Sequence, residues 1–470
     1  MNAIQATAGF LSIKTFFFMI MFPRRCVSAL MFSLILLGCG GGSGGSQGGG
    51  LASLSGLAGS SASPSGGTTG TTSGTSTTGT TSTTGTTSGT GGTGTTGGTG
   101  TTGGTGTTGG TGTTGGGASP VAASAALVSR LGKPSRMLIG LGSSPIDQMK
   151  SQDIHPDIVD TYLVGVGTGA WPTWNSPDGA YLTYTAQAIQ AYGAIPMYTL
   201  YQMTANGEGN LGGINDATFM NKYWAQVRLM YRLIADLGGP VLINLEPDFW
   251  GFVASQAPGR DAARMPAVVN NQPECAGLPN TAGGLGQCLL QMGRQIAPKA
   301  LVGFPPAFWS GTAAEIGVQM RAVGAHQADF IVAQTSDRDA GCREIASPPD
   351  ECTGRSGPFY WDENNIASPN FHESQSQISD YRAALGNGLP ILWWQTPMGV
   401  PSGTPGGIDL RYRDNHVDYM LRNAQEYGDT HTFAIVFSAG GGHQTSISTD
   451  GGQYARLSDQ YLARGGAALK

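Results

Sequence analysis

The segment LINLEPDFWG at 242–251 sets two carboxylates and a carboxamide at the end of an apolar run. If that run is a strand, alternation sends Ile243 and Leu245 to one face and Asn244 and Glu246 to the other. With the apolar pair against surrounding helices, Asn244 and Glu246 are expected to face a shared interior. A carboxyl in a half-desolvated, aromatic-rich mouth has a raised pKa and can donate a proton near neutrality. Glu246 is therefore the candidate general acid, with Asn244 and Asp248 as orienting partners. The competing reading of Glu246 is structural, a carboxyl bonded to polar groups inside the fold. A second carboxylate roughly 6.5–9.5 Å from the acid would leave room for an attacking water. Asp337 is the first choice for it, with Asp339 beside it in TSDRD, a sequence that also reads as a solvated turn.

Aromatic side chains gather at the same sequence positions: Tyr201, Trp250, Phe308, Trp309, Tyr360, Trp361, Trp393 and Trp394. Sugar rings present apolar C–H faces that stack on such rings, and Tyr and Trp tips also hydrogen-bond hydroxyls. Tyr201, Trp309, Trp394, Gln395 and His443 are the expected substrate contacts. Trp393 and Trp394 point opposite ways along their run, so one of them packs in the core. The Gly-rich SAGGGHQT at 438–445 reads as a close-approach loop, with phosphate binding as the alternative. The six His residues form no HxH or HExxH cluster, and His416 reads as structural; no catalytic metal and no cofactor are expected. There is no Gly-x-Ser-x-Gly elbow for a serine hydrolase.

With Asn244-Leu245-Glu246 ending a fourth strand, the sequence resembles the barrel glycoside hydrolases, whose acid Glu commonly stands there. In their large retaining group an Asn immediately precedes that Glu, and a second Glu ends strand seven. Here Leu245 precedes Glu246, and Gln395 stands where the nucleophile would, so the resemblance does not extend to a protein nucleophile. Asn-x-Glu is similar to the fourth-strand ending of some endo-N-acetylglucosaminidases, as Asp-x-Glu is in chitinase-like barrels. That resemblance implies that Glu246 protonates the leaving oxygen while Asn244 orients a substrate acetamido group acting as nucleophile. Inverting and substrate-assisted routes both stay open. Two other classes stand beside hydrolysis: a non-catalytic glycan-binding protein, and a barrel enzyme that transfers an acyl or other group.

The elements that must hold these residues alternate β-rich and amphipathic runs. Strands are expected at 136–142, 158–167, 194–202, 240–248, 300–306, 328–337, 389–397 and 431–440. Each is nearly continuously apolar, as a parallel strand buried on both faces should be. Helical runs lie between most of them, the clearest at 216–239, opened by an Asp cap and closed by Gly. Others lie at 181–193, 285–297, 313–324, 374–388, 413–428 and 453–466. Eight strand–helix units in roughly 350 residues predict a (β/α)8 TIM barrel. The rival, a doubly wound open sheet, would carry a Gly-rich phosphate fingerprint after its first strand, and LIGLGSSP lacks the third Gly. Segments after strands are long and rich in Trp, Tyr, Asp, Asn and Pro, which places the site at the strand C-terminal face.

Ahead of this domain (119–470) come a leader (1–38) and a stretch (39–118) that is nearly all Gly, Thr and Ser. Arg24 and Arg25 precede an apolar run from Val27 to Leu37, a signal peptide in length and too short to span a membrane comfortably. It ends in Leu36-Leu37-Gly38-Cys39, which resembles the lipobox of bacterial lipoproteins. The resemblance implies cleavage before Cys39 and lipidation of it. Gly40, rather than Asp, after that Cys implies transfer to the outer membrane, on either its periplasmic or its surface side. The first twenty residues fit no part of this scheme, and Met21 is an alternative start. The Gly/Thr/Ser stretch cannot bury enough apolar surface to fold and is expected to be a disordered tether spanning roughly 50 Å, or a glycan-bearing spacer.

Cys275 with Cys288, and Cys342 with Cys352, flank two loops and read as disulfides formed in an oxidising compartment. Zinc is the alternative, although neither spacing holds a CxxC knuckle. A net charge of −5 with no Lys/Arg run in the folded part argues against a nucleic-acid partner. The expected partners are a carbohydrate substrate and, through the lipid alone, a membrane; the chain is expected to be a monomer.

Overall fold

The computed structural model describes residues 123–335, 360–399, 416–438 and 445–470. The leader, Cys39, the tether, Asp337, Asp339, Cys342, Cys352 and His443 lie outside the described residues.

Eight parallel strands close into one barrel in sequence order. They are β1 (Leu138–Gly142), β2 (Ile158–Val164), β3 (Ile195–Tyr201), β4 (Val241–Leu245), β5 (Ala300–Phe304), β6 (Phe330–Gln334), β7 (Ile391–Pro397) and β8 (Thr432–Ser438). Closure is made by β1 on β8, with Leu138 beside Ala434 and Leu141 beside Phe437. Every expected strand is present, and the open-sheet alternative falls, because a doubly wound sheet would leave two unpaired edges.

The described helices are α1 (Ala123–Arg130), α2 (Ile146–Ser151), α3 (Ala180–Ala191), α4 (Ala217–Leu237), α5 (Phe249–Gln256) and α6 (Ala282–Ile296). They continue with α7 (Ala313–Ala322), α8 (Phe371–Leu385), α9 (His416–Arg422), α10 (Ala424–Asp429) and α11 (Gln453–Ala463). The long α4 is delimited as its sequence dictates. Asp216 accepts from the Thr218 and Phe219 amides at its start, and Gly238 takes a left-handed φ of 71° at its end. Three helices were not expected from sequence: α1, α2 and α5. The single run expected at 413–428 is broken into α9 and α10 at Asn423.

Two cores result. Outside the strands, β4 contributes Ile243 and Leu245 to a cluster with Tyr223, Trp224 and Tyr231 of α4. Inside the barrel, Leu138, Ile158, Met197, Leu242, Leu301 and Val332 fill the lower layers. Leu127 and Val128 of α1, followed by Leu131, join that inner cluster and stop the N-terminal end of the barrel. With the bottom plugged by apolar side chains, polar groups inside the barrel collect toward the strand C-termini.

Cys275 and Cys288 are joined, with Cα atoms 5.2 Å apart. Cys288 is a buried residue of α6, so the bond fastens the β4–α6 connection to a helix. No helix among the described residues is long and apolar enough to cross a membrane.

Candidate active site

Above the apolar layers, the inward-facing side chains turn polar. Asp160 of β2 is only 1% exposed and accepts from Thr199 Oγ1 of β3 at 2.9 Å and from Trp394 Nε1 of β7 at 2.8 Å. Burial pushes its pKa up to about 6, against the lowering effect of the Trp394 and Thr199 hydrogen bonds. Asn244 of β4 continues this layer, its Nδ2 lying 3.4 Å from Thr199 Oγ1, while its Oδ1 is buried with no hydrogen-bond partner.

One layer higher, Gln395 bridges the mouth. Its Oε1 accepts from Gln334 Nε2 of β6 at 2.8 Å, and its Nε2 donates to the Tyr162 hydroxyl of β2. Tyr162 packs beside Trp394 with ring centroids 6.0 Å apart and meets Tyr201 of β3 edge-on at 6.4 Å. Tyr162 and Gln334 are half-buried. The mouth floor is thus a neutral ring of two phenols and two carboxamides laid over a buried carboxylate.

Gln395 reaches inward because its backbone is in the left-handed region, φ 51°. Pairing of β7 with β8 is irregular between Trp393 and Thr396, so the strand carries a bulge there that turns Gln395 and Trp394 both toward the axis. Trp393, the outward member of the pair, donates to Thr432 Oγ1 and packs against Tyr427.

The fourth strand behaves differently, and here the expectation for Glu246 is corrected. Asn244 faces the axis as predicted, but Glu246 does not stand in an open mouth. Its backbone also takes φ 51°, which breaks the alternation. The side chain is 0% exposed, and Oε2 accepts from the amides of Gln202 and Met203 at 2.9 and 3.0 Å. The Tyr223 hydroxyl of α4 lies beside the carboxyl, on the helix side of the barrel wall. Burial raises the Glu246 pKa to about 8, outweighing the two amides and Tyr223, which favour the charged form. The predicted direction of that shift is met, but no surface of the group is open to a ligand.

Asp248, two residues on, is at the rim and half-buried, with φ 64°. Its charge acts on Tyr201: burial first, then Asp248, Glu208 and Glu246, push the phenol upward. Glu208, from the segment after β3, is itself raised by burial and by Asp248.

The remaining expected contacts divide. Tyr201 and Gln395 belong to the mouth. Trp394 is 1% exposed and lies under Tyr162, so it is floor rather than an open platform. Trp309 packs against Phe252 of α5 with ring centroids 4.8 Å apart. It lies so close to Gly251 that a Cβ there would come within 2.5 Å of its ring, which makes it part of the wall between loops. Trp250 and Trp361 also pack in the outer core, and His416 is enclosed by Trp361 and Phe371. Of the eight aromatic positions, Tyr201 and Trp394 reach the axis, while Trp250, Phe308, Trp309, Trp361 and Trp393 pack in the wall or the outer core. Asp160, Tyr162, Gln334 and Glu208 were missed. Asp160 carried a readable signal, a lone charge inside the apolar run IVDTYLV. No cluster of three or more His, Cys, Asp or Glu that could hold a metal is present among the described residues.

No family model matches this chain, and no curated protein matches it in sequence. Several solved structures are similar over part of this chain. The endoglucanase Cel6 from Mycobacterium tuberculosis is 15% identical with a TM-score of 0.32, covering 54% of this chain, which in turn spans 66% of that enzyme. A Cellulomonas fimi endo-beta-1,4-mannanase double mutant is 11% identical with a TM-score of 0.42, over 74% of this chain and 75% of the mannanase. The D-psicose 3-epimerase of Clostridium cellulolyticum H10 is 11% identical with a TM-score of 0.34, over 70% of this chain and 98% of the epimerase. Two hydrolases and an epimerase appear side by side.

Proposed function

We propose that this chain is an extracytoplasmic glycoside hydrolase that binds a polysaccharide or glycan in the barrel mouth and cleaves it by carboxylate general acid catalysis. The observation that carries the reading is the ring of Tyr162, Gln334, Gln395 and Tyr201 at the strand C-terminal ends. Carboxamides offer donors and acceptors together, and phenols add a flat apolar face, which suits a neutral polyhydroxylated ligand. Asp248 is the carboxylate we assign to the substrate, because it is at the rim beside Tyr201 and is partly open. Asp337 remains the choice for a second carboxylate. Asp160 and Asn244 form the floor, Asp160 fixing the Trp394 indole by its hydrogen bond. Lipidation at Cys39 and the Gly/Thr/Ser tether would hold the domain at the outer membrane, and a Cys39→Ser chain should leave the membrane fraction.

The test is reducing-end release over a panel of polysaccharides, wild type against Asp248→Asn. Removing a general acid typically costs about 10²–10⁴-fold, so the variant should lose at least about 100-fold while melting as the wild type does. Equal cleavage by the variant would remove Asp248 from the mechanism. A second reading, a glycan-binding lipoprotein without hydrolysis, is favoured by one observation, the burial of Glu246. Glycan binding with no cleavage of any panel member would decide for it.

A further inference from the structure

Glu246 is fully buried, strained and immobilised, yet it sits at the C-terminal end of β4, one residue past the strand, next to the rim. A non-Gly residue at φ 51° is strained and persists where its surroundings hold it. What holds it is the segment that follows β3. Oε2 takes both the Gln202 and the Met203 amide, and the Glu246 amide itself donates to Leu200 O at 2.8 Å. Gln202 is tied further, its Nε2 donating to Gly165 O at 2.7 Å and its side chain pairing with Gln226 of α4 at 2.6 Å. The same segment carries Tyr201 at its start and Glu208 a few residues on.

Two buried oxygens in this cluster have no hydrogen bond of ordinary geometry: Glu246 Oε1 and the Tyr223 hydroxyl. They lie side by side. A carboxylate oxygen and a phenol can form one hydrogen bond with the phenol donating, but the groups that act on Glu246 are two amides and a phenol, none of them a cation. The Tyr223 phenol of α4 faces the carboxyl directly, and the Tyr201 phenol of β3 feels Glu246 together with Asp248 and Glu208. A neutral carboxyl satisfies the cluster at less cost: Oε2 keeps both amides, and the proton on Oε1 reaches the phenol oxygen.

We infer that Glu246 is a positioning residue, a protonated latch that fixes the rim segment 201–208 to the end of β4 and so sets Tyr201 against the mouth. It touches no substrate. The latch opens when the proton is lost, because a charge sealed from water beside a phenol favours a rearrangement that lets water in. The activity arm of the following test rests on the hydrolase reading; the spectroscopic arm does not.

Infrared difference spectra of the full chain at neutral pH, wild type minus Glu246→Gln, should contain the C=O stretch of a protonated buried carboxyl. Glu246→Gln keeps the acceptor for the two amides and a donor toward Tyr223, so deuterium exchange over 201–208 should stay within about twofold of wild type. Glu246→Ala should speed that exchange at least tenfold. If hydrolysis is found, the Gln variant should keep most of it at pH 6 and lose the alkaline fall that the wild type has near pH 8. Absence of the carboxyl band overturns the inference. So does a folded Glu246→Gln chain that has lost 100-fold or more of its activity, since Glu246 would then act on substrate directly. A chain that cleaves nothing but has the band and the exchange pattern keeps the latch and loses the hydrolase.

Discussion

The ends of β4 and β7 share one local device and use it in opposite directions. Each has a non-Gly residue at φ 51°, Glu246 and Gln395, directly where the strand would otherwise continue its alternation. At β7 the bulge turns an uncharged carboxamide into the mouth, between Tyr162 and Gln334. At β4 it takes an acid out of the mouth, into amides and a phenol behind the wall. The lesson is about solvation. A carboxamide at the floor finds donors and acceptors on its neighbours and leaves its outer side for a ligand. A carboxyl brought to the same height beside Asp248 and above Asp160 would add to a set of negative charges, and it is removed to a place where it can be neutral.

The largest effect that separates the two ends is on stability. Glu246→Ala leaves two buried amides without an acceptor, at about 1–3 kcal/mol each, so urea unfolding should lose roughly 2–6 kcal/mol. Gln395→Ala breaks hydrogen bonds at a half-open mouth and should lose about 0.5–1.5 kcal/mol, its main effect being weaker glycan affinity by calorimetry. Equal destabilisation by the two substitutions would end the contrast.

A smaller effect sharpens it through pH. The Glu246 pKa is higher folded, about 8, than the ordinary value of 4.5. The folded state therefore holds a proton that the unfolded chain releases, and the stability it contributes is complete at acid pH and lost as pH rises toward 8. Asp160, raised from 3.8 to about 6, acts the same way, overlapping the acid side of the Glu246 window and ending by about pH 6. Between pH 6 and 8, wild-type stability should thus fall by up to roughly 1.4 kcal/mol per pH unit. Glu246→Gln should flatten that slope and Gln395→Glu should not restore it. A slope unchanged in the Gln variant would mean that another group releases the proton.

The sequence made the barrel legible and half of the site. Parallel strands buried on both faces leave continuous apolar runs, and caps such as Asp216 and Gly238 mark the long α4. Asn244, Tyr201 and Gln395 could be placed because each belongs to such a run or adjoins it. The direction of Glu246 was not legible, because alternation presumes extended φ and the following Pro247 itself biases its predecessor toward extended backbone. A left-handed residue before proline runs against both rules, and only the hydrogen bonds from a distant segment, 43 and 44 residues away, make it tolerable. The missed α1 has a similar cause: ASAALVSR has no strong stripe of its own, and its role is to plug a barrel that forms after it.

The smallest expected change lies on the β7 side, at Trp394. Trp394→Phe keeps an aromatic ring under Tyr162 but removes the indole N–H that donates to Asp160 at 2.8 Å. That hydrogen bond favours the charged carboxylate, so its loss should raise the Asp160 pKa further above about 6. At pH 7, where Asp160 is mostly ionised, the variant should be less stable by about 1.5–3 kcal/mol, the usual worth of a hydrogen bond to a charged group. Below pH 5 the carboxyl is protonated in both chains, and the difference should shrink to the cost of the smaller ring and of a hydrogen bond to a neutral carboxyl. Measuring the two chains by urea unfolding at pH 5 and pH 7 isolates the charge-dependent part. A penalty independent of pH would place Trp394 at the floor for its volume only, and Asp160 would then be held by Thr199 without help from β7.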